Sequence, residues 1–101
     1  MQLEDVGRLA LSHAGVKRKG TEARPAWYVD DRLVARSVDP TSVVIRSGFA
    51  ARERLLEDHP DTFGVPPRFE SHMMVVVELE RADPKAVERA ISEAVELQRR
   101  R

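Results

Sequence analysis

The sequence predicts an α+β fold, a two-layer arrangement with an antiparallel sheet and all helices on one face. Three stretches carry that expectation. "AWYV" and "RLVARSV" flank Asp30-Asp31 as two β-type runs around a tight turn. "MMVVVELE", residues 73–80, alternates Met73, Val75, Val77 and Leu79 on one face with Met74, Val76, Glu78 and Glu80 on the other. Residues 84 onward place Val87, Ala90, Ile91, Ala94 and Val95 in one helical stripe. Sheet segments and one-sided helices in a mixed order fit two layers with a shared core.

Taken in order, residues 3–13 predict a helix with Leu3, Val6, Leu9, Ala10 and His13 on one side, and Gly15 follows its end. Residues 17–25, "KRKGTEARP", have no apolar period and read as a charged loop. Strands are expected at 26–29 and 32–38, with Trp27 opposite Val34 and Tyr28 opposite Leu33. Pro40 suits a turn over residues 39–42, after which "VVIR", 43–46, returns as a third strand. Ser47 is the expected cap of a helix from Phe49 to Asp58, whose inner stripe is Phe49, Arg52, Leu55 and Leu56. Pro60 ends it, because the residue before a proline disfavours helical backbone. Asp83 and Pro84 open the last helix as N-cap and first helical residue, and Arg99 to Arg101 sit at its negative end.

The 101 residues suit one domain spanning 1–101. Lys plus Arg and Asp plus Glu number 17 each, so no global field draws the chain to an anionic partner. With no cysteine, disulfides, thiolate nucleophiles and Cys-bound metals are excluded, and a reducing cytoplasm is the expected location. The opening residues lack the basic-then-apolar order of a signal peptide, and "MMVVV" is too short to span a bilayer. A monomer is expected.

Reactive constellations are missing from the sequence pattern. His13, His59 and His72 stand far apart, without the three- or four-residue spacing of a helical metal pair. Adjacent carboxylates (Glu4-Asp5, Asp30-Asp31, Glu57-Asp58) fall at expected helix ends or a turn, where solvated charge is ordinary. The five glycines stand singly, so no phosphate-cradling loop is expected, and no serine sits in a nucleophile elbow. Catalysis, a metal and a cofactor are therefore not expected.

Binding is the better expectation. Lys17, Arg18, Lys19, Arg24, Arg32, Arg36 and Arg46 concentrate positive charge in residues 17–54, where nine basic side chains meet five acidic ones. A basic loop and sheet face of this kind contacts phosphates, so DNA bound weakly and in a salt-dependent way is the first expected partner. The alternative is a protein- or ligand-binding scaffold. There Pro66 and Pro67 hold the chain extended, Phe63 and Phe69 cover the core, and Arg68, Phe69 and His72 form with Trp27 the rim of a shallow groove.

"RPAWYVDDRLVARS", "SVVIRS", "RERLLEDHPDTF" and "PPRFESHMMVVVEL" follow one another in an order that resembles the MmcQ/YjbR family of small bacterial proteins. The resemblance implies a compact α+β domain related in shape to the frataxin-like fold. It also implies the DNA-binding label that members carry through fold-level analogy. The chain departs from the family pattern at Arg68, Phe69, Ser71, His72 and Met73, and at Asp30-Asp31, where relatives often have glycine.

Overall fold

Residues 1–100 are described by a computed structural model; Arg101 lies outside the described residues. The elements are α1 (Leu3–Leu11), β1 (Lys17–Gly20), β2 (Pro25–Val29), β3 (Arg32–Asp39), β4 (Ser42–Arg46), α2 (Phe49–Asp58), β5 (Phe63–Gly64), β6 (Met74–Glu78) and α3 (Pro84–Gln98). The strands form one antiparallel sheet in the order β1-β2-β3-β4-β6-β5. The α+β expectation holds.

Side-chain parity explains the layering. Residues directly opposite in neighbouring strands share a face. Trp27 pairs with Ala35, Ala35 with Ile45 and Ile45 with Val75; Val43 pairs with Val77 and Val77 with Phe63. All of these are buried in one apolar cluster with Val6 and Ala10 of α1, Leu55 of α2, and Val87, Ile91 and Val95 of α3. The helices thus cover one face only, and the opposite face has no helical layer.

Several local expectations are corrected. The supposed loop over 17–25 contains β1, because an edge strand exposed at every residue buries nothing and shows no apolar alternation. Gly20 ends β1 at φ +84°, and a Cβ there would lie 2.4 Å from the Arg24 carbonyl oxygen. Only glycine accommodates that approach. Trp27 faces Ala35 rather than Val34, since a bulge between Trp27 and Tyr28 shifts the register while Tyr28 still faces Leu33. The bulge lets Val34 and Ala35 both reach the core.

The two-residue turn is real, with Asp30 at φ 51° and Asp31 at φ 62°, the doubly left-handed geometry of a hairpin turn. Helix α1 stops at Leu11, two residues early, where the Ser12 hydroxyl donates to the Leu9 carbonyl at 2.6 Å. Gly48, not Ser47, caps α2; the Ser47 side chain is buried and donates to the Gly48 carbonyl instead. The last strand ends at Glu78, and Leu79 stays buried in a short 3-10 turn. Asp83 and Pro84 start α3 as expected, the Asp83 carboxylate accepting from the Lys85 amide at 3.1 Å.

Candidate nucleic-acid interface

Parity also sorts the seven basic residues. Lys17 pairs with Tyr28, Lys19 with Ala26, Ala26 with Arg36, Arg36 with Val44 and Val44 with Val76, while Arg46 pairs with Met74. Every one of these occupies the parity opposite to Trp27 and Ile45. Lys17, Lys19, Arg36 and Arg46 therefore share the uncovered face with Tyr28, Leu33, Met74 and Val76. Glu78, opposite Ser42, lies on the same face at its far margin and accepts the Ser42 hydroxyl.

Arg18, Arg24 and Arg32 do not join them. Arg18 faces Trp27 and so lies on the helix side of the sheet edge. Arg24 is in the β1–β2 turn, and Arg32 opens β3 beside the Asp30-Asp31 turn. One protein surface cannot use all seven at once.

The four that converge differ in how free they are. The Lys19 ammonium lies 5.0 Å from the Tyr28 ring centroid and 3.6 Å from the Asp31 carboxylate. Lys17, Arg36 and Arg46 have no ion pair among the described residues. The Arg46 Nε is buried without an acceptor, so the stem of that side chain is packed among its neighbours on the sheet. A cation whose stem is fixed loses less freedom on meeting a phosphate.

The expected groove between Trp27 and the loop at 68–72 does not form. Trp27 sits on β2 and the loop precedes β6, with β3 and β4 between them, about three strand spacings or ~14 Å. Trp27 is only 2% exposed and packs beneath Gly7 of α1, where a Cβ would lie 3.1 Å from the indole. Phe63 enters the core as expected. Phe69 is half-buried outside it, under the Arg68 guanidinium at 4.8 Å. Arg68 and His72 are exposed.

What organises that loop is a residue the pattern hid. Arg52, 8% exposed, donates through Nη1 to the carbonyls of Phe69, His72 and Met74 and through Nη2 to that of Glu70. The shortest contact is 2.8 Å, to His72. Its guanidinium also lies 4.9 Å from the Phe49 ring. An arginine at a helical core position was the available signal, since such a group is buried only where acceptors converge. His72 thus contributes its backbone to the structure, and its imidazole stays outside.

Among the described residues, no three His, Cys, Asp or Glu side chains form a group that could hold a metal ion. Nor is any helix long and apolar enough to cross a membrane. Set beside family models, curated proteins and solved structures, the chain matches none of them.

Proposed function

We propose that the helix-free face of the sheet binds nucleic acid. The observation that carries this reading is the convergence of Lys17, Lys19, Arg36 and Arg46 around Tyr28 on one face of a chain whose total charge is zero. Cations on a flat sheet track a phosphate backbone, and an aromatic ring among them offers a stacking surface to a base. No helix lies on this face to enter a duplex groove, so a single strand suits it better than a duplex. Sequence reading is weak, because one aromatic and four cations supply few directional contacts to base edges. The MmcQ/YjbR resemblance supports the same partner class, and binding rather than catalysis is proposed.

Fluorescence anisotropy of a labelled oligonucleotide tests this across a salt series. With four phosphates engaged on a single strand, log K should fall against log salt with a slope of about −3. Arg36→Glu with Arg46→Glu should weaken binding by at least about tenfold and flatten that slope. Binding that is absent at low salt, or that ignores both salt and the double substitution, refutes the proposal.

The alternative, a protein-binding scaffold without catalysis, loses its expected groove at residues 68–72 and draws instead on a groove between α1 and β2, floored by Leu3, Leu11 and Trp27, beside the free edge of β1.

A further inference from the structure

Strand β1 has one neighbour, β2, and its other side is open. In an antiparallel pair, alternate residues of the outer strand direct their N–H and C=O groups away from the partner. No backbone hydrogen bond outside the β1–β2 ladder engages Lys17, Arg18 or Lys19 among the described residues. The opposite edge, β5, is only two residues long. β1 is thus the edge able to accept another strand.

Both flanks of β1 are hollowed. On the helix side a groove of about 360 Å³ is floored by Leu3, Gly7, Leu11, Pro25 and Trp27, with Arg18 beside it. Leu11 is 48% exposed, although it lies on the α1 surface that faces this groove. Glu4, Arg8 and Glu22 also border it, so with Arg18 its rim carries balanced charge around an apolar floor, which suits an apolar side chain on that side. On the other side of the sheet a hollow of about 330 Å³ is bordered by Lys17 and Lys19 of β1 itself, by Tyr28, and by Asp30 and Asp31 of the β2–β3 turn, so that the lysines are the charges nearest an added strand. Asp31 pairs with Lys19 there at 3.6 Å, with the lysine half-exposed and the aspartate largely exposed, a contact that contributes little and is cheap to exchange.

We infer that β1 is a docking edge for an extended acidic peptide whose residues alternate between apolar and acidic. Backbone pairing to β1 fixes the register. Apolar side chains then fall into the groove at Leu11 and Trp27, and acidic ones fall beside Lys17 and Lys19. Charge complementarity decides the occupant. A second copy would set Lys17, Arg18 and Lys19 against the same three cations, which opposes self-pairing through this edge. A nucleic acid has no backbone N–H groups to complete the ladder and no apolar side chains for the groove. The inference does not depend on the sheet face binding nucleic acid.

The probe is a short peptide of alternating glutamate and leucine, compared with its backbone N-methylated form and with a lysine–leucine version. Trp27, the sole tryptophan, gives an indole fluorescence and a single indole N–H resonance as readouts at the groove. The glutamate–leucine peptide should shift both signals and slow amide exchange at residues 17–20. N-methylation, lysine in place of glutamate, and Leu11→Glu should each weaken binding by at least about tenfold. Arg36→Glu with Arg46→Glu should leave peptide affinity unchanged, whereas Leu11→Glu should leave oligonucleotide affinity unchanged. Failure of the glutamate–leucine peptide to bind overturns the inference. So does equal binding of the N-methylated or lysine form, exchange protection elsewhere than β1, or peptide binding that is lost in the Arg36 and Arg46 variant. Dimerisation of the chain through β1, seen as concentration-dependent protection of residues 17–20 without peptide, assigns the edge to a second copy and also overturns it.

Discussion

At the scale of single residues, Arg52 shows how one side chain governs a segment distant in sequence. Its guanidinium supplies donors to four carbonyls of residues 69–74, a loop whose own backbone hydrogen bonds run almost entirely between near neighbours and tie it to α2 nowhere else. Removing it leaves those acceptors short of donors in a partly buried place. Arg52→Ala should therefore lower unfolding free energy by about 3 kcal/mol in urea titrations. Arg52→Lys should recover little, because an ammonium lacks the planar fork that reaches several carbonyls at once. Equal stability of Arg52→Ala and the parent chain would refute this role.

Asp39 is a second residue with a defined effect. The Thr41 backbone amide, 2.9 Å away, and then the Thr41 hydroxyl hold its carboxyl below the ordinary carboxylate range. A pKa lower in the folded chain than in the unfolded one means the charged form favours folding. That contribution is complete above the unfolded pKa and is lost as pH falls through the folded one. Asp39→Asn should consequently be less stable than the parent at neutral pH. The difference should shrink as pH drops below the carboxylate range, measured as urea midpoints at a series of pH values. A constant difference across that series would count against the assignment.

At the scale of elements, the β2–β3 hairpin carries a local conflict between sequence and geometry. Both turn residues have positive φ, yet both are aspartates. Glycine adopts this backbone without the Cβ penalty. Asp31→Gly gives up only the exposed contact to Lys19, which contributes little. The substitution should raise unfolding free energy by roughly 0.5–1 kcal/mol and lift the thermal midpoint, as calorimetry would record. Asp30 is the poorer position to change, since its carboxylate accepts the Arg100 amide at 2.9 Å and ties down the end of α3.

Elements also differ in how plainly the sequence announced them. Helix α3 was readable because cap, proline and stripe agree, and each is a local property. The strand at Met74–Glu78 was equally plain, since it buries one face and alternates accordingly. β1 was hidden because nothing local distinguishes a fully exposed edge strand from a charged loop; only hydrogen bonding to β2 makes it a strand. The bulge at Trp27 was hidden for a related reason. Register is chosen by how the whole hairpin seats on the core, and an extra residue on β3 brings both Val34 and Ala35 inward.

At the scale of the whole molecule, α3 spans the middle of the helical layer and packs against β3, β4, α1 and α2. Ile91 is completely buried there. Ile91→Ala should cost about 3–4 kcal/mol through lost burial and an unfilled cavity. Circular dichroism and Trp27 fluorescence should report the same lowered urea midpoint, because one cluster joins all three helices to the sheet. Separate midpoints for the two signals would show that α1 and β2 hold together without α3.

The candidate site was half legible at this scale. Lys17, Lys19, Arg36 and Arg46 were among the seven cations singled out, but the sequence alone could not separate them from Arg18, Arg24 and Arg32. Proximity in sequence misled in the opposite sense for Trp27 and His72, which were expected together and are held apart by two strands.

By itself the sequence determined the three helices, the strands β2, β3, β4 and β6, most of the apolar residues that turn inward, and that no thiol chemistry is available. Those properties follow from spacing, capping and composition, all of which act over a few residues. Tertiary structure alone decided which cations share a face, where Trp27 lies, that Arg52 holds a loop, and that β1 is a strand with an open edge. Each of these depends on pairing between segments far apart in the chain, and strand order and register bring side chains together in ways no local period records.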